Sequence, residues 1–201
     1  MRARVGGRRW VAVSMAAMPS QKQRMLTGEA YFADDPELLA DRCRAGLLTE
    51  RLNATSVAEP PLRRQILADL LGALGDQAEI LSPFHCDYGY QISVGARTFI
   101  NFGAVILDSA PVRIGDDVQI GPGVQLVTPT HPLDPAQRGT LIESAAAIEI
   151  GDRAWLATGV IVCPGVTVGA ATVVGAGSVV TQDLPAGHLA VGNPCRVVRE
   201  L

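Results

Sequence analysis

Aromatic residues supply only 4% of this 201-residue chain, although 48% of it is hydrophobic. A core can be built, but from Val, Ile, Leu and Ala, so the interior must be narrow and repetitive. Charge is sparse as well. Charged residues are 18% and the net charge is −3, which argues against disorder and gives no support to nucleic-acid binding. Lysine is nearly absent, one residue against sixteen arginines. No apolar run approaches the roughly 18 residues of a membrane span. The four cysteines, Cys43, Cys86, Cys163 and Cys195, show no CxxC pair and no metal-ligand spacing. They read as buried free thiols in a reducing, cytoplasmic setting. Histidine is limited to His85, His131 and His188. Glycine (21) and proline (13) are plentiful by contrast, so the chain turns often.

Met1 to Ala17 carries Arg2, Arg4, Arg8 and Arg9 with no acid, and its apolar stretch is interrupted by Ser14. That is too short a core for a secretory signal. Residues 1–17 read as a basic, disordered extension upstream of a true start at Met15 or Met18. Without its four charges the body stands near −7.

Residues 18–75 read as a helical cap. Ser20 caps a first helix that ends near Gly28. Asp35-Pro36-Glu37 is a helix start, with a capping carboxylate, a proline at the first helical position and an acid in the first turn. Leu39, Cys43, Leu47, Leu48 and Leu52 then suggest one apolar face. Pro60-Pro61 opens a third helix with Leu62, Ile66, Leu70 and Ala73 along one side, stopping around Gly72 to Gly75.

From Ile92 a repeat of period six takes over. Aliphatics stand at Val94, Ile100 and Ile106, at Ile114, Ile120 and Leu126, and at Ile150, Leu156, Val162, Val168, Val174 and Val180. Period six excludes an amphipathic helix and a simple alternating strand. It fits a mainly β fold, the left-handed parallel β-helix of hexapeptide repeats, in which three units close a triangular coil of about 18 residues. Stacked coils put equivalent aliphatics above one another, which explains the shortage of aromatics. Four coils are expected, starting near 94, 114, 150 and 168, within a domain spanning 76–201. Corner residues such as Gly115-Asp116-Asp117 and Gly151-Asp152 are expected to supply positive φ. The helices should cover the first coil, whose edge is otherwise an aggregation template, and the tail from Pro185 should close the last.

The repeat fails twice. The small interruption, Asp108 to Arg113, adds two residues. The large one, 127–149, leaves the coil at Pro129-Thr130-His131-Pro132 and returns at Ile150. An excursion of that length from an economical solenoid points to function, and His131, braced between prolines, is the candidate it carries.

These residues resemble the maltose and galactoside O-acetyltransferases, with nodulation-type acetyltransferases in the same hexapeptide-repeat group. The likeness runs from Gln21 to Leu201 and includes Gln65 to Leu70, Cys86-Asp87-Tyr88-Gly89-Tyr90, Asn101-Phe102, Thr130-His131-Pro132 and Asn193-Pro194. It implies an acetyl-CoA-dependent O-acetyltransferase acting on a sugar hydroxyl, assembled as a homotrimer, with no metal. His131 matches the catalytic base and Asn101 a position beside the reacting centre. Arg42, Asp87 and Ser109 match acceptor positions, Glu143 a substrate-site residue near the histidine or the acceptor, and Trp155 a tryptophan at the re-entry of the excursion, where it serves the substrate or anchors the excursion in the core. Asp34 lies one place beyond an expected acid. Thr158, Ala176, Thr181, Gln182, Arg196 and Arg199 match coenzyme A contacts, with Gln182 standing where relatives commonly carry lysine.

Three other readings share the fold. A xenobiotic O-acetyltransferase keeps the reaction and changes the acceptor, but its longer excursion and larger C-terminal helical part are not evident. A non-catalytic binding or structural solenoid is raised by the two family positions that are altered here. A three-histidine zinc enzyme of carbonic anhydrase type needs closely placed histidines on neighbouring coils, and His85, His131 and His188 are dispersed.

Overall fold

The computed structural model describes Met18 to Leu201. The expected disordered extension over 1–17 lies outside the described residues. Ser20 caps α1 (Gln21–Leu26) reciprocally, accepting from the Gln23 N–H at 3.2 Å while its own N–H donates to Gln23 Oε1 at 2.9 Å. A two-residue strand, β1 (Tyr31–Phe32), leads into α2 (Pro36–Ala54), where Asp35 accepts from the Glu37 N–H at 3.0 Å.

The buried face of α2 is Leu38, Ala45, Thr49 and Leu52. This corrects the face expected from sequence, since Leu39 and Leu47 are 48% and 62% exposed and Cys43 is also exposed rather than buried. Leu39 and Leu38 differ by one residue and therefore by about 100° around the helix, so of the expected face Leu48 and Leu52 meet the core while Leu39, Cys43 and Leu47 do not. The third helix, α3 (Pro60–Leu70), buries Arg63, Ile66, Leu67 and Leu70.

The β-helix begins at Ala73, two residues after that helix, and not at residue 92. Its first coil is β2 (Ala73–Leu74), β3 (Glu79–Ile80) and β4 (Phe84–Cys86). The second is β5 (Ile92–Val94), β6 (Phe99–Ile100) and β7 (Ala104–Leu107), and the third β8 (Val112–Ile114), β9 (Gln119–Ile120) and β10 (Gln125–Val127). An arm of β11 (Pro129–Thr130), α4 (Pro135–Arg138) and β12 (Ile142–Ala145) intervenes. The fourth coil follows as β13 (Ile148–Ile150), β14 (Trp155–Leu156) and β15 (Ile161–Val162), and the fifth as β16 (Thr167–Val168), β17 (Val173–Val174) and β18 (Val179–Val180). A tail hairpin, β19 (His188–Gly192) and β20 (Cys195–Glu200), ends the chain.

Five coils therefore stand where four were expected. Leu74, Ile80 and Cys86 keep the period of six, but Asp87 to Ser93 carries two residues too many and hides the continuity with Val94.

The strands stack in parallel into three faces. Face one is β2, β5, β8, β13 and β16, face two is β3, β6, β9, β14, β17 and β19, and face three is β4, β7, β10, β15 and β18. Inward residues stay in register: Val94, Ile114, Ile150 and Val168 pair along face one, and Ile106, Leu126, Val162 and Val180 along face three. Each of these is at most 3% exposed. The open edge of the first coil is sealed by the helices. Asn53 clamps Phe84, donating to its carbonyl at 3.0 Å and accepting its N–H at 2.9 Å. The Arg63 guanidinium caps the carbonyls of Leu52, Thr55 and Ile80. At the far end Ala190 and Cys195 of the hairpin are wholly buried.

The corner glycines act differently from the expectation. Positive φ at the first corner, between faces one and two, falls on Asp117 and Arg153, whose φ values are 57° and 58°. Gly95, Gly115 and Gly151 sit at ordinary φ because the next coil passes too close for a side chain: a Cβ on Gly95 meets the Gly115 backbone, and one on Gly151 the backbone of Ala170. By contrast, a Cβ on Gly46 in α2 meets nothing within 4 Å. Gly46→Ala should raise the melting temperature, by up to about 1 kcal/mol of helix propensity. Gly95→Ala should lower it by clearly more than that gain, since two backbones must separate. Thermal unfolding of the two variants beside the parent checks both signs.

Candidate functional site

The arm leaves the third coil after Thr128 and returns where the Ala146 N–H donates to the Thr128 carbonyl at 3.0 Å. Thr128 is fully buried and pins the exit, donating to the Leu107 carbonyl at 2.7 Å and accepting the Ala110 N–H at 3.0 Å. Within the arm β11 and β12 pair antiparallel, Pro129 opposite Ala145 and Thr130 opposite Ser144. The other edge of β12 pairs with β1, placing Tyr31 opposite Glu143 and Phe32 opposite Ile142. The excursion is thus a hydrogen-bonded arm tied to the N-terminal cap, shorter at both ends than 127–149.

The arm holds His131 at the third corner, between faces three and one. The His131 side chain is 53% exposed, and its Nδ1 lies 4.0 Å from Glu143 Oε1. Glu143 Oε2 accepts the Tyr31 hydroxyl at 2.9 Å. Asp87 follows β4 at the same corner. Burial, then the charges of Asp108 and Glu143, push its carboxyl up to about 6, while Arg42 opposes them. Arg42 reaches over from α2 and donates to the Ala33 carbonyl at 2.7 Å.

Underneath, Asp108 is fully buried and accepts the N–H groups of Tyr88 at 2.8 Å and Gln91 at 3.2 Å. Desolvation raises its pKa against those hydrogen bonds. Ser109 is 3% exposed, with its hydroxyl beside the Tyr31 oxygen, so it supports Tyr31 from below and has no open path to a ligand. His131, Glu143, Asp87, Arg42 and Ser109 therefore come together. Sequence reasoning missed Tyr31, Tyr88 and Asp108. The available signal for Asp108 was its place at the phase break, where a polar residue interrupts an aliphatic column.

A second group gathers at the second corner, between faces two and three. Asn101, Thr158 and Ala176 occupy its successive turns, whose backbones are joined by Gly159 N–H to Pro122 O and Gly177 N–H to Thr158 O, both 2.9 Å. They line a groove of about 630 Å³ with Gln119, Trp155 and Leu189. Trp155 is 50% exposed on face two, so it is a groove wall and not a core anchor for the excursion. Asn101 Oδ1 accepts the Phe102 N–H at 2.8 Å, which leaves its NH₂ as the outward donor. Arg199 lies opposite Leu189 and Arg196 opposite Val191 on the hairpin, so both share the outer side of face two. Thr181 and Gln182 do not join this group. They follow β18 and turn at the third corner, on the same edge as the arm.

Within one chain face three separates the two groups. The structure does not bring Asn101 to His131, nor Thr181 and Gln182 to Thr158 and Ala176. His85 is exposed, and His188 Nδ1 sits 2.7 Å from the Ala186 carbonyl. Among the described residues no cluster of three or more His, Cys, Asp or Glu could hold a metal, and no helix is long and apolar enough to cross a membrane.

Stacked hexapeptide coils, a groove along one corner and a histidine carried on an arm define the class: a hexapeptide-repeat acyltransferase. Two family models agree, the maltose acetyltransferase hexapeptide capping motif over residues 24–75 and the bacterial transferase hexapeptide (six repeats) over 147–182. Nodulation protein L of Rhizobium meliloti is 47% identical over 178 residues, 89% of this chain and 97% of that protein. A maltose O-acetyltransferase from Clostridium difficile superposes with a TM-score of 0.89 at 42% identity, covering 90% of this chain and 97% of its own. A hexapeptide-repeat acetyltransferase of Vibrio cholerae, solved with acetyl coenzyme A, superposes at 0.84 with 40% identity, covering 90% and 98%. The chain belongs to the maltose and galactoside O-acetyltransferase family.

The buried Asp87 carboxyl makes a stability prediction with a definite sign. Its pKa rises from 3.8 to about 6 on folding, so the folded chain holds the proton more tightly than the unfolded one. Stability is lost as pH climbs through that window and stays lost above it. Asp87→Asn should therefore raise the melting temperature at about pH 7.5, by on the order of 2–4 °C. The gain should vanish at about pH 4, where the native carboxyl is protonated too. Calorimetry at the two pH values checks it, and an equal gain at both would contradict the assignment.

Proposed function

We propose that the protein transfers an acetyl group from acetyl-CoA to a hydroxyl of a sugar or sugar-like acceptor, by direct attack with His131 as general base. The observation that carries this reading is the arm, which suspends a half-exposed His131 beside the Arg42, Asp87 and Glu143 cluster. Charged groups gathered beside His131 suit a hydroxyl-rich acceptor, whose many donors and acceptors they can match. His131 takes the proton from the acceptor hydroxyl as its oxygen attacks the thioester carbonyl. The Asn101 NH₂ donates to the developing oxyanion. On collapse the carbon–sulfur bond breaks and the departing thiolate takes the proton from the imidazolium. An ester and a free thiol form, and the base is restored.

The groove at the second corner supports a place for the long thiol arm, with Thr158 and Ala176 offering backbone groups. Arg196 and Arg199 offer charge-assisted donors to phosphates. Trp155 lines the same groove as a flat wall. The four free thiols fit a reducing compartment such as the cytoplasm.

The division of the site argues for assembly. A complete centre needs the second corner of one copy against the third corner of the next, and a closed three-fold arrangement makes three such sites, hence a homotrimer. His131→Ala should lower turnover about 10²- to 10⁴-fold with acetyl-CoA binding retained. When that variant is refolded in equal mixture with an inactive Asn101→Ala variant, about a quarter of the shared sites hold both native groups, and activity should return to about that fraction. No recovery would place both residues of a working site in one subunit.

The tail arginines make a separate test. Replacing Arg196 and Arg199 together by Ala should raise the KM for acetyl-CoA far more than it lowers kcat, because phosphate contacts are alike in ground and transition states. An unchanged KM would put the phosphates elsewhere.

A further inference from the structure

We infer that Tyr31 is a positioning residue for catalysis: its hydroxyl fixes one oxygen of Glu143, so that the other oxygen orients the His131 ring from the Nδ1 side. This rests on His131 being the general base. Glu143 stands between two groups and uses a different oxygen for each, with Oε2 2.9 Å from the Tyr31 hydroxyl and Oε1 4.0 Å from His131 Nδ1. Its side chain is 20% exposed, against 53% for His131. The carboxylate is therefore the inner member of the pair and the imidazole the outer.

Tyr31 has no freedom to release Glu143. It is 1% exposed, packs with Met25, Ala33, Leu38 and Tyr88, and lies directly opposite Glu143 in the β1–β12 ladder. The Ser109 hydroxyl sits beside the phenol oxygen. Burial and the neighbouring carboxylate hold the phenol well above its ordinary pKa, so it stays a donor. An acidic oxygen fixed in this way favours the tautomer with the proton on Nδ1, leaving the Nε2 lone pair for the acceptor hydroxyl. It also stabilises the imidazolium that forms when that proton is taken. The 4.0 Å gap is longer than a hydrogen bond, and such contacts tighten in the reacting complex. The resemblance placed Ser109 against the acceptor and Glu143 near either the histidine or the acceptor, and it gave no role to Tyr31. Here Ser109 is sealed beneath Tyr31, and Glu143 has one oxygen committed to the phenol and the other turned to His131.

Tyr31→Phe keeps the buried ring and removes only the hydroxyl. In the full chain it should lower kcat about tenfold or more while leaving the KM for acetyl-CoA and for the acceptor within about twofold. Glu143→Gln should do the same. The double variant should fall no further than the worse single one, because two members of one chain are not additive. Should Tyr31→Phe unfold near assay temperature, Glu143→Gln on the arm carries the same kcat-against-KM test. A parental kcat in folded Tyr31→Phe, with His131→Ala inactive, overturns the role assigned to Tyr31, and a parental kcat in Glu143→Gln overturns it as well. So does a raised acceptor KM at unchanged kcat, which would make these groups acceptor contacts. A His131→Ala variant that keeps turnover sinks instead the general-base reading on which the inference stands.

Discussion

Each coil lies one strand spacing, about 4.8 Å, from the next, and the rest of the molecule answers to that distance. A side chain pointing inward must pack on its own equivalent in the neighbouring coil. Aliphatics of one size can repeat under that rule and rings cannot. Phe84 is inward only in the first coil, where Leu52 and Ile66 of the helices, and not another coil, form its roof. Polar groups inside survive only by bonding the backbone: Thr98 donates to Gly115 O at 2.7 Å, Thr172 to Pro185 O and Ser178 to Gly175 O at 2.6 Å. The same spacing strips the first corner of side chains at Gly95, Gly115 and Gly151.

An interior built this way has no room for a ligand or an uncompensated charge, so chemistry is displaced to the corners. The third corner is where the chain adds residues, and the additions are polar. Asp108 lies buried without a cation, held by backbone N–H groups from the Tyr88 to Gln91 turn. That arrangement fixes the turn bearing Asp87 and at the same time raises the Asp87 pKa. A carboxyl that costs stability at neutral pH persists where binding uses it. The second corner carries small residues and glycines along its later turns and forms an open groove, with the Asn101 amide at one end of it.

Much of this was legible in the chain itself. The period of six located the twelve aliphatics from Val94 to Val180 that recur once per strand, and the failure of the period located the arm and His131. What escaped has physical causes. The first coil was hidden because Cys86 and Val94 are eight residues apart, a break in phase that the turn over Asp108 requires. The α2 face was misplaced because Leu39 and Leu47 are leucines on the solvent side, and hydropathy does not report the phase of a helix whose flanking leucines are exposed. Tyr31 could not be found by pattern, since its partner Glu143 is 112 residues away. The separation of Thr181 from Thr158 is a matter of which corner each turn occupies: Thr158 follows the second strand of its coil and Thr181 the third strand of the next.

The β1–β12 ladder gives the N-terminal cap two duties. The helices seal the edge of the first coil, a task any cover could perform. The strand that follows α1 does something a cover need not do: it runs out beside the arm, donates its edge to Glu143 and Ile142, and inserts Tyr31 beneath them. The arm spans Pro129 to Ala145 and by itself offers only a two-residue pairing between β11 and β12. A hairpin that short is marginal in water, and a histidine on it would wander by more than catalysis tolerates. Pairing on the second edge of β12, with a buried phenol as the pin, makes β12 the middle of a three-stranded sheet. The helical preface and the excursion that carries His131, far apart in sequence, are therefore one mechanical unit, joined through the β1–β12 ladder.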